Sequence, residues 1–412
     1  MAKLAHLTKD SFWKAGHLPT LIGSFFYFDT SFMIWVLLGA LGNHVAGEFG
    51  LTPSQKGLMT ALPLLAGSVL RLVLGVLADG IGPKKTGVIG MSLTLAPLLG
   101  AWLWADSLEK VFLMGLLLGI AGASFAVALP MAGRWYPARH QGLAMGIAGA
   151  GNSGTLFATL FAPRLAESYG WHAVFGLAII PLCLAMIIFL VFTKDPPGAR
   201  RTHSASEYLS LLKERDAYRF CLFYGVTFGG FSGLISFMPI FLHDQYSVSM
   251  VLAGDLTSLC VLSGSLMRPL GGWLADRLGG VRVLTALYGL ITVLLLAITP
   301  LPSLATAIAF LFFALGFMGL GNGAVFQLAP QRFVGRMGAM TGLVGAAGGL
   351  GGFLFPVVLG WFKQYYGSFG IGFSVFAVLS GFALINLLMA RQKWVGLWMA
   401  EGGVAMQENF GD

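Results

Sequence analysis

Two arginines stand in stretches where a charge is costly. Arg71 lies in Leu-Leu-Ala-Gly-Ser-Val-Leu-Arg-Leu-Val-Leu-Gly and Arg268 in Leu-Ser-Gly-Ser-Leu-Met-Arg-Pro-Leu-Gly-Gly. An arginine at the centre of a lipid-embedded helix costs about 2.5–3.5 kcal/mol, so an unpaired pair costs roughly 5–7 kcal/mol. An anion would offset that, whether a protein carboxylate or a bound solute. The competing reading is that each side chain snorkels to an interface or is paired internally. Gly67 and Gly75 flank Arg71 by one turn on each side and leave room beside its head group. A guanidinium donates several N–H groups in one plane, so the pair suits a flat oxyanion better than two ammonium groups would.

Acids that could answer these charges are few. Of 17 Asp and Glu residues, Asp29, in Phe25-Phe-Tyr-Phe-Asp29-Thr-Ser-Phe, is the one in mid-run. With it ionised beside both arginines the site carries about +1, a match for one small monovalent anion. A carboxylic acid in a low dielectric is also able to take up a proton unless a cation holds it ionised. Asp29 is therefore the candidate for proton coupling. The alternatives are a fixed counter-ion to Arg71 or Arg268, or a side chain bonded to backbone.

The third feature is glycine. Ala148-Gly-Ala-Gly-Asn152-Ser-Gly154-Thr formally matches a dinucleotide fingerprint, but no strand precedes it and the surroundings are apolar helix, so a nucleotide site is not expected. Gly142, Gly146, Ala150 and Gly154 recur every fourth residue and offer a smooth face for close helix approach. Packing does not explain Asn152, whose amide can donate to an anion and is expensive against lipid. The seven histidines show no metal-ligand spacing, and Cys183, Cys221 and Cys260 sit in or beside apolar runs without a CxxC pair. No metal, cofactor or disulfide is expected, and no triad or phosphate-cradling loop points to an enzyme.

The elements that must position these residues follow from composition. The chain has 412 residues, 57% hydrophobic and 10% charged, with mean hydropathy +0.80. A soluble domain carries about 25% charged residues, so this chain cannot cover a water-facing surface and is no nucleic-acid binder. Its 58 glycines suit tight helix contacts in lipid. Twelve spans of about bilayer length fit at 18–42, 55–79, 86–105, 109–133, 141–163, 171–193, 218–243, 251–276, 283–300, 304–330, 337–362 and 369–390. The first follows Lys3, Lys9 and Lys14 with no cleavage site behind it, and reads as a retained helix. With the N-terminus inside, 19 of the 25 Lys and Arg fall in cytoplasmic segments, which places both termini in the cytoplasm.

The spans form two copies of one unit. At an offset of 197 residues Arg71 falls on Arg268, Gly75 on Gly272, Asp79 on Asp276, Gly82 on Gly279, Gly119 on Gly316, Gly122 on Gly319, Gly151 on Gly348 and Gly154 on Gly351. Repeated coincidence at one offset means duplication. The fold class expected is therefore all-α membrane protein with two pseudo-symmetric six-helix bundles: an N-terminal half at 1–193, a cytoplasmic linker at 194–217, a C-terminal half at 218–390 and a cytoplasmic tail at 391–412. Parallel repeats suit transporters that alternate access around a site between the halves.

Gly75-Val-Leu-Ala-Asp79-Gly-Ile-Gly82-Pro-Lys84-Lys85 and Gly272-Trp-Leu-Ala-Asp276-Arg277-Leu-Gly279 resemble the paired loop motifs of the major facilitator superfamily, with Gly80 where the first motif usually carries a basic residue. Ala148–Thr155 and Gly345-Ala-Ala-Gly348-Gly349-Leu-Gly351-Gly352-Phe-Leu-Phe-Pro356 resemble the glycine signatures of its nitrate/nitrite porters, most of all bacterial assimilatory nitrate transporters. The resemblance implies import of nitrate, and of nitrite, across the inner membrane by a monomer, as proton symport. Nitrate/nitrite antiport and a facilitator for another small anion are the alternatives, and a membrane sensor is disfavoured. It implies substrate contacts at Arg71, Arg268, Asn152 and Tyr224, an aromatic sandwich of Phe125 and Phe326, and a pocket wall at Phe28. Gly75, Asp79, Gly272, Asp276, Arg277, Gly149, Gly151, Gly154, Gly348, Gly349 and Gly351 are the implied gating motifs.

Overall fold

A computed structural model describes residues 12–197, 210–333 and 337–399, and almost all of them are helical. Half of the expected linker (198–209) and the tail from residue 400 lie outside the described residues. In hydrocarbon every backbone N–H and C=O must be satisfied within the segment, and a helix does that locally. Among the described residues there is no β-strand, only a bridge between Val395 and Met399. The protein is an all-helical integral membrane protein.

The first segment is broken into α1 (Leu18–Trp35), α2 (Leu37–Ala40) and α3 (Gly42–Phe49). Next come α4 (Pro53–Ile81), α5 (Pro83–Leu103), α6 (Leu108–Gly122), α7 (Phe125–Gly133) and α8 (Ala138–Gly149). A 3₁₀ turn at Ala150–Ser153 leads into α9 (Gly154–Tyr169), α10 (Trp171–Leu177) and α11 (Ile179–Phe192). After the linker, α12 (Arg215–Tyr224) passes through a π-helical turn at Gly225–Gly229 into α13 (Gly230–Tyr246). The remainder is α14 (Met250–Leu278), α15 (Gly280–Ile298), α16 (Leu304–Arg332), α17 (Met337–Tyr366) and α18 (Gly370–Trp394).

Ten helical stretches among the described residues are long and apolar enough to cross a bilayer. The expected spans at 18–42 and 141–163 are not among those ten; the first is broken at Val36 and Leu41 and the fifth at the 3₁₀ turn. The sequence pattern reads both as unbroken helices. Apolar periodicity does not register a break of one to four residues.

Gly82 and Gly279, equivalent at the 197-residue offset, end α4 and α14 with φ of 99° and 89°. Only glycine adopts that backbone without strain, and it turns the chain directly into the next helix.

Two long antiparallel seams join the first six-span unit to the second. Along one, α4 meets α17: a side chain at Gly57 would strike the Pro356 carbonyl, one at Gly349 would strike Ser68, and one at Gly345 would come within 3.8 Å of Arg71 Cδ. Along the other, α9 meets α14, where a side chain at Gly254 would strike the Thr159 carbonyl and the Thr159 and Ser258 hydroxyls lie 2.7 Å apart. At the end remote from both termini these seams are cross-tied. Lys56 Nζ binds Asp244 at 2.7 Å, Arg164 grips Asp255 at 2.5 and 2.8 Å, and Asn43 Nδ2 donates to the Pro239 carbonyl at 2.9 Å. Toward the terminal end, beyond Arg71 and Gly345, α4 and α17 part into a cleft lined by Gly75, Ala78, Asp79, Pro130, Arg134, Thr341 and Gly342.

Candidate functional site

The cleft ends at Arg71, which is fully buried. The break between α6 and α7 prepares its first partner. Ala126 N bonds the Ala123 carbonyl, which frees the carbonyl of Gly122 to accept from Arg71 Nε at 3.0 Å. Nη1 donates across the seam to the carbonyl of Gly345 on α17 at 2.6 Å, and Nη2 is buried with no partner. The guanidinium carbon sits 4.9 Å from the Phe228 ring, 5.0 Å from Phe125 and 5.2 Å from Trp35, so aromatic faces surround the charge.

Arg268 reaches the same place from α14. It is 5% exposed, its Nη2 donates to the Tyr224 hydroxyl at 3.4 Å, and its Nη1 is buried without a partner. Its guanidinium lies 5.7 Å from the same Phe125 ring. A side chain at Gly149 would come within 3.3 Å of Nε, so glycine there lets the arginine lie flat against the backbone of α8. Neither arginine snorkels, and among the described residues neither meets a carboxylate. The two charges converge on one phenylalanine, each with one terminal amino group left over.

The other expected residues gather unevenly around this pair. Tyr224 is fully buried and stacks on Phe228 at 5.0 Å; the π-helical turn after it sets the two rings one above the other. Phe326 packs edge-on against Tyr224 at 4.9 Å, and Phe28 lies 5.9 Å from Phe125. Phe125 and Phe326 touch, with centroids 5.8 Å apart and planes at 47°. Holding a flat ion between parallel rings takes about 7 Å, two contact distances of ~3.5 Å, so in this conformation the rings are closed on each other. Asn152 is buried in the 3₁₀ turn with its side-chain oxygen unpartnered.

Asp29 stands apart from the arginines. Its carboxylate accepts from Ser153 Oγ at 2.7 Å, beside the break between α8 and α9, and bonds neither guanidinium. The sum of +1 drawn from the sequence therefore does not describe the pocket, whose two positive charges have no protein counter-ion among the described residues.

The glycine motifs lie where helices touch, mostly within one unit. A side chain at Gly151 would strike Phe28 and one at Gly154 the Asp29 carbonyl, so α1 crosses the fifth span at backbone contact. Their partners at the 197-residue offset do the same in the other unit: Gly348 faces the Tyr224 ring and Gly351 the Gly225 backbone, while Gly349 faces Ser68 of α4. In the loop motifs, Asp79 accepts from Arg134 at 2.8 Å, which supplies the cation that Gly80 does not. Gly75 lines the cleft beside it. Gly272 is half-buried; Asp276 is exposed without an ion pair among the described residues, and Arg277 lies 4.2 Å from the Trp273 ring. Sequence reasoning missed Trp35, Phe228 and the carbonyls of Gly122 and Gly345. Phe228, one turn after Tyr224, carried a signal in its spacing; a backbone carbonyl carries none.

The family model of the Major Facilitator Superfamily matches residues 21–356. The "Nitrite extrusion protein" of Bacillus subtilis (strain 168) is 31% identical over 367 residues, covering 88% of this chain and 92% of that protein. The "Probable nitrate/nitrite transporter NarK2" of Mycobacterium tuberculosis is 32% identical, covering 80% and 85%. The "Probable nitrate/nitrite antiporter NarK1" of Thermus thermophilus is 30% identical, covering 87% and 88%. A solved bacterial homolog of the human lysosomal transporter Spinster, in an inward-facing and occupied conformation, shares the fold with a TM-score of 0.67 at 17% identity, covering 90% of this chain and 96% of that one.

Proposed function

This chain belongs to the major facilitator superfamily, within its nitrate/nitrite porter family, and we propose that it carries nitrate, and nitrite, across the bacterial inner membrane by alternating access. One observation carries the reading: Arg71 and Arg268 converge on the Phe125 ring, buried, each with an unpartnered terminal amino group and neither paired with a carboxylate among the described residues. Two like charges in a low dielectric repel strongly, and a single anion between them replaces that repulsion with two attractions. Nitrate is flat, singly charged and rimmed with acceptor oxygens, the geometry that two planar donor forks engage.

In this reading Asn152 and the Tyr224 hydroxyl add donors, while Phe28, Phe125 and Phe326 form dry walls. The rings of Phe125 and Phe326 part to admit the ion. The halves at 1–193 and 218–390 rock at the seams, where Gly149 and Gly349 meet the opposite half, while Gly151, Gly154, Gly348 and Gly351 keep the helices of each half in backbone contact. The loop motifs of Gly75, Asp79, Gly272, Asp276 and Arg277 close the opposite end, which faces the cytoplasm together with both termini, the linker and the tail. The protein acts as a monomer.

Import is coupled to protons through Asp29. Its Ser153 bond lies beside the α1 crossing, so a change of protonation there is felt where the first and fifth spans touch. A second reading, nitrate/nitrite exchange, is favoured by the lack of a carboxylate at the arginines. A carrier that must reorient with two uncompensated charges does so at high cost, and a counter-anion on the return stroke removes it.

The test is flux of labelled nitrate into liposomes holding the purified protein, at controlled pH and membrane potential, with and without internal nitrite. Symport predicts uptake driven by an inward proton gradient without internal anion; exchange predicts uptake only with nitrite inside. Arg71→Lys or Arg268→Lys should reduce uptake about ten- to a hundredfold, the loss of one charged hydrogen bond of 1.5–3 kcal/mol. Undiminished nitrate uptake in both lysine variants overturns the anion site.

A further inference from the structure

Asn322 belongs to no role described so far, yet it is 1% exposed, in the middle of α16, and both its amide atoms are buried without a hydrogen-bond partner. An unsatisfied buried amide is costly, and a packing role does not repay that when leucine would fill the same space. Three observations aim it at the pocket. At the 197-residue offset that superposes Arg71 on Arg268, Asn322 takes the position of Phe125, the ring on which both guanidinium groups converge. On its own helix it shares a face with Phe326, one turn on, whose ring stands 4.9 Å from Tyr224 and 5.8 Å from Phe125. The next residue, Gly323, packs its backbone against the carbonyl of Arg268, so Asn322 stands level with the start of that side chain.

We infer that Asn322 is a specificity-determining contact: its amide N–H group donates to an oxygen of the bound anion and favours trigonal over bent oxyanions. The inference rests on the anion reading of the two arginines. A duplicated fold offers two equivalent positions facing the axis, and here one has become an aromatic floor and the other an amide. Two planar forks engage two oxygens of a flat anion. A three-oxygen ion such as nitrate keeps a third oxygen that requires its own donor; two-oxygen nitrite has none to offer. The amide oxygen, the other unpartnered atom, disfavours a second negative charge on that side.

The test compares wild type with Asn322→Leu and Asn322→Gln. Transport in liposomes gives KM for nitrate and for nitrite; thermal unfolding in detergent is followed with and without each salt, sodium chloride serving as the ionic-strength control. Asn322→Leu, nearly isosteric and apolar, is expected to raise the melting temperature without substrate, to raise the nitrate KM about tenfold and to change the nitrite KM less than threefold. Asn322→Gln, which keeps the amide but displaces it, is expected to fall between. A lower melting temperature with both KM values unchanged makes Asn322 structural and overturns the inference, as does an equal change in both KM values. If wild-type protein neither carries nor is stabilised by nitrate or nitrite, the anion reading itself falls first. If wild type responds and the nitrate-to-nitrite ratio in Asn322→Leu does not move, only the role of Asn322 falls.

Discussion

At the scale of single residues the two arginines are equivalent in sequence and unequal in structure. Arg71 is held by two backbone carbonyls, one from each half, and walled by three aromatic rings; Arg268 leans on one tyrosine hydroxyl at 3.4 Å. Lysine at 71 cannot hold both carbonyls and an anion with one nitrogen, so Arg71→Lys should be the more damaging of the two, losing both uptake and thermal stability. Tyr224→Phe removes the one partner of Arg268 and keeps the stacked ring. It should raise the nitrate KM about three- to tenfold with little change in folding, measured by uptake and melting curves side by side. Asp29→Asn keeps the size of the side chain and its acceptance of the Ser153 bond while removing the titrating group. Symport through Asp29 predicts that nitrate uptake into vesicles no longer follows an imposed pH gradient; a gradient response equal to wild type removes Asp29 from the coupling.

At the scale of elements, interruptions do the positioning. The α6–α7 break presents the Gly122 carbonyl, the 3₁₀ turn presents Asn152, and the π-helical turn registers Tyr224 over Phe228. In a regular helix each carbonyl already accepts the N–H four residues on, whereas the break leaves that of Gly122 free for the guanidinium. The glycines between these elements let α1 and α9, and α4 and α17, approach at backbone distance. Gly154→Ala places a methyl group against the Asp29 carbonyl and within 3.0 Å of Met33 N, so α1 must move. Overpacking of this kind costs about 1–3 kcal/mol, read as a lower melting temperature in detergent together with lost uptake. At Gly349 the obstacle lies in the other half of the molecule. Gly349→Val should block the seam against Ser68 and reduce transport even where the folded yield is preserved.

For the molecule as a whole, the state captured is shut at the end remote from the termini and parted at the other. Lys56–Asp244 and Arg164–Asp255 cross the two halves at the shut end. Partly exposed ion pairs of this kind contribute about 0.2–1 kcal/mol each, enough to bias two states without locking either. Lys56→Ala and Asp244→Ala should each raise, by up to about fivefold, the labelling rate of a single cysteine placed at Ser236 in a chain cleared of its native cysteines. The double variant should do no more than either alone, because the two single changes break the same pair. Additive effects of the two changes show that the pair is not the latch.

Much of this was legible from the residue string. The helical class, the membrane and the duplication follow from apolar run length, scarce charge and a fixed repeat offset, which are properties of a one-dimensional chain. So does the anomaly of Arg71 and Arg268, because the cost of a charge in hydrocarbon depends on little beyond its neighbours in sequence. Asp29 shows where that reasoning stops. As the one acid in mid-run it counts with the two arginines toward a site charge of +1, yet it turns to Ser153, because a helix face is chosen by what packs against it. The breaks in spans one and five, the carbonyls that hold Arg71, the contact between Phe125 and Phe326 and the orphaned amide of Asn322 were decided in three dimensions. Each depends on which backbone groups are left unbonded when helices cross, and that balance exists only once the helices have met.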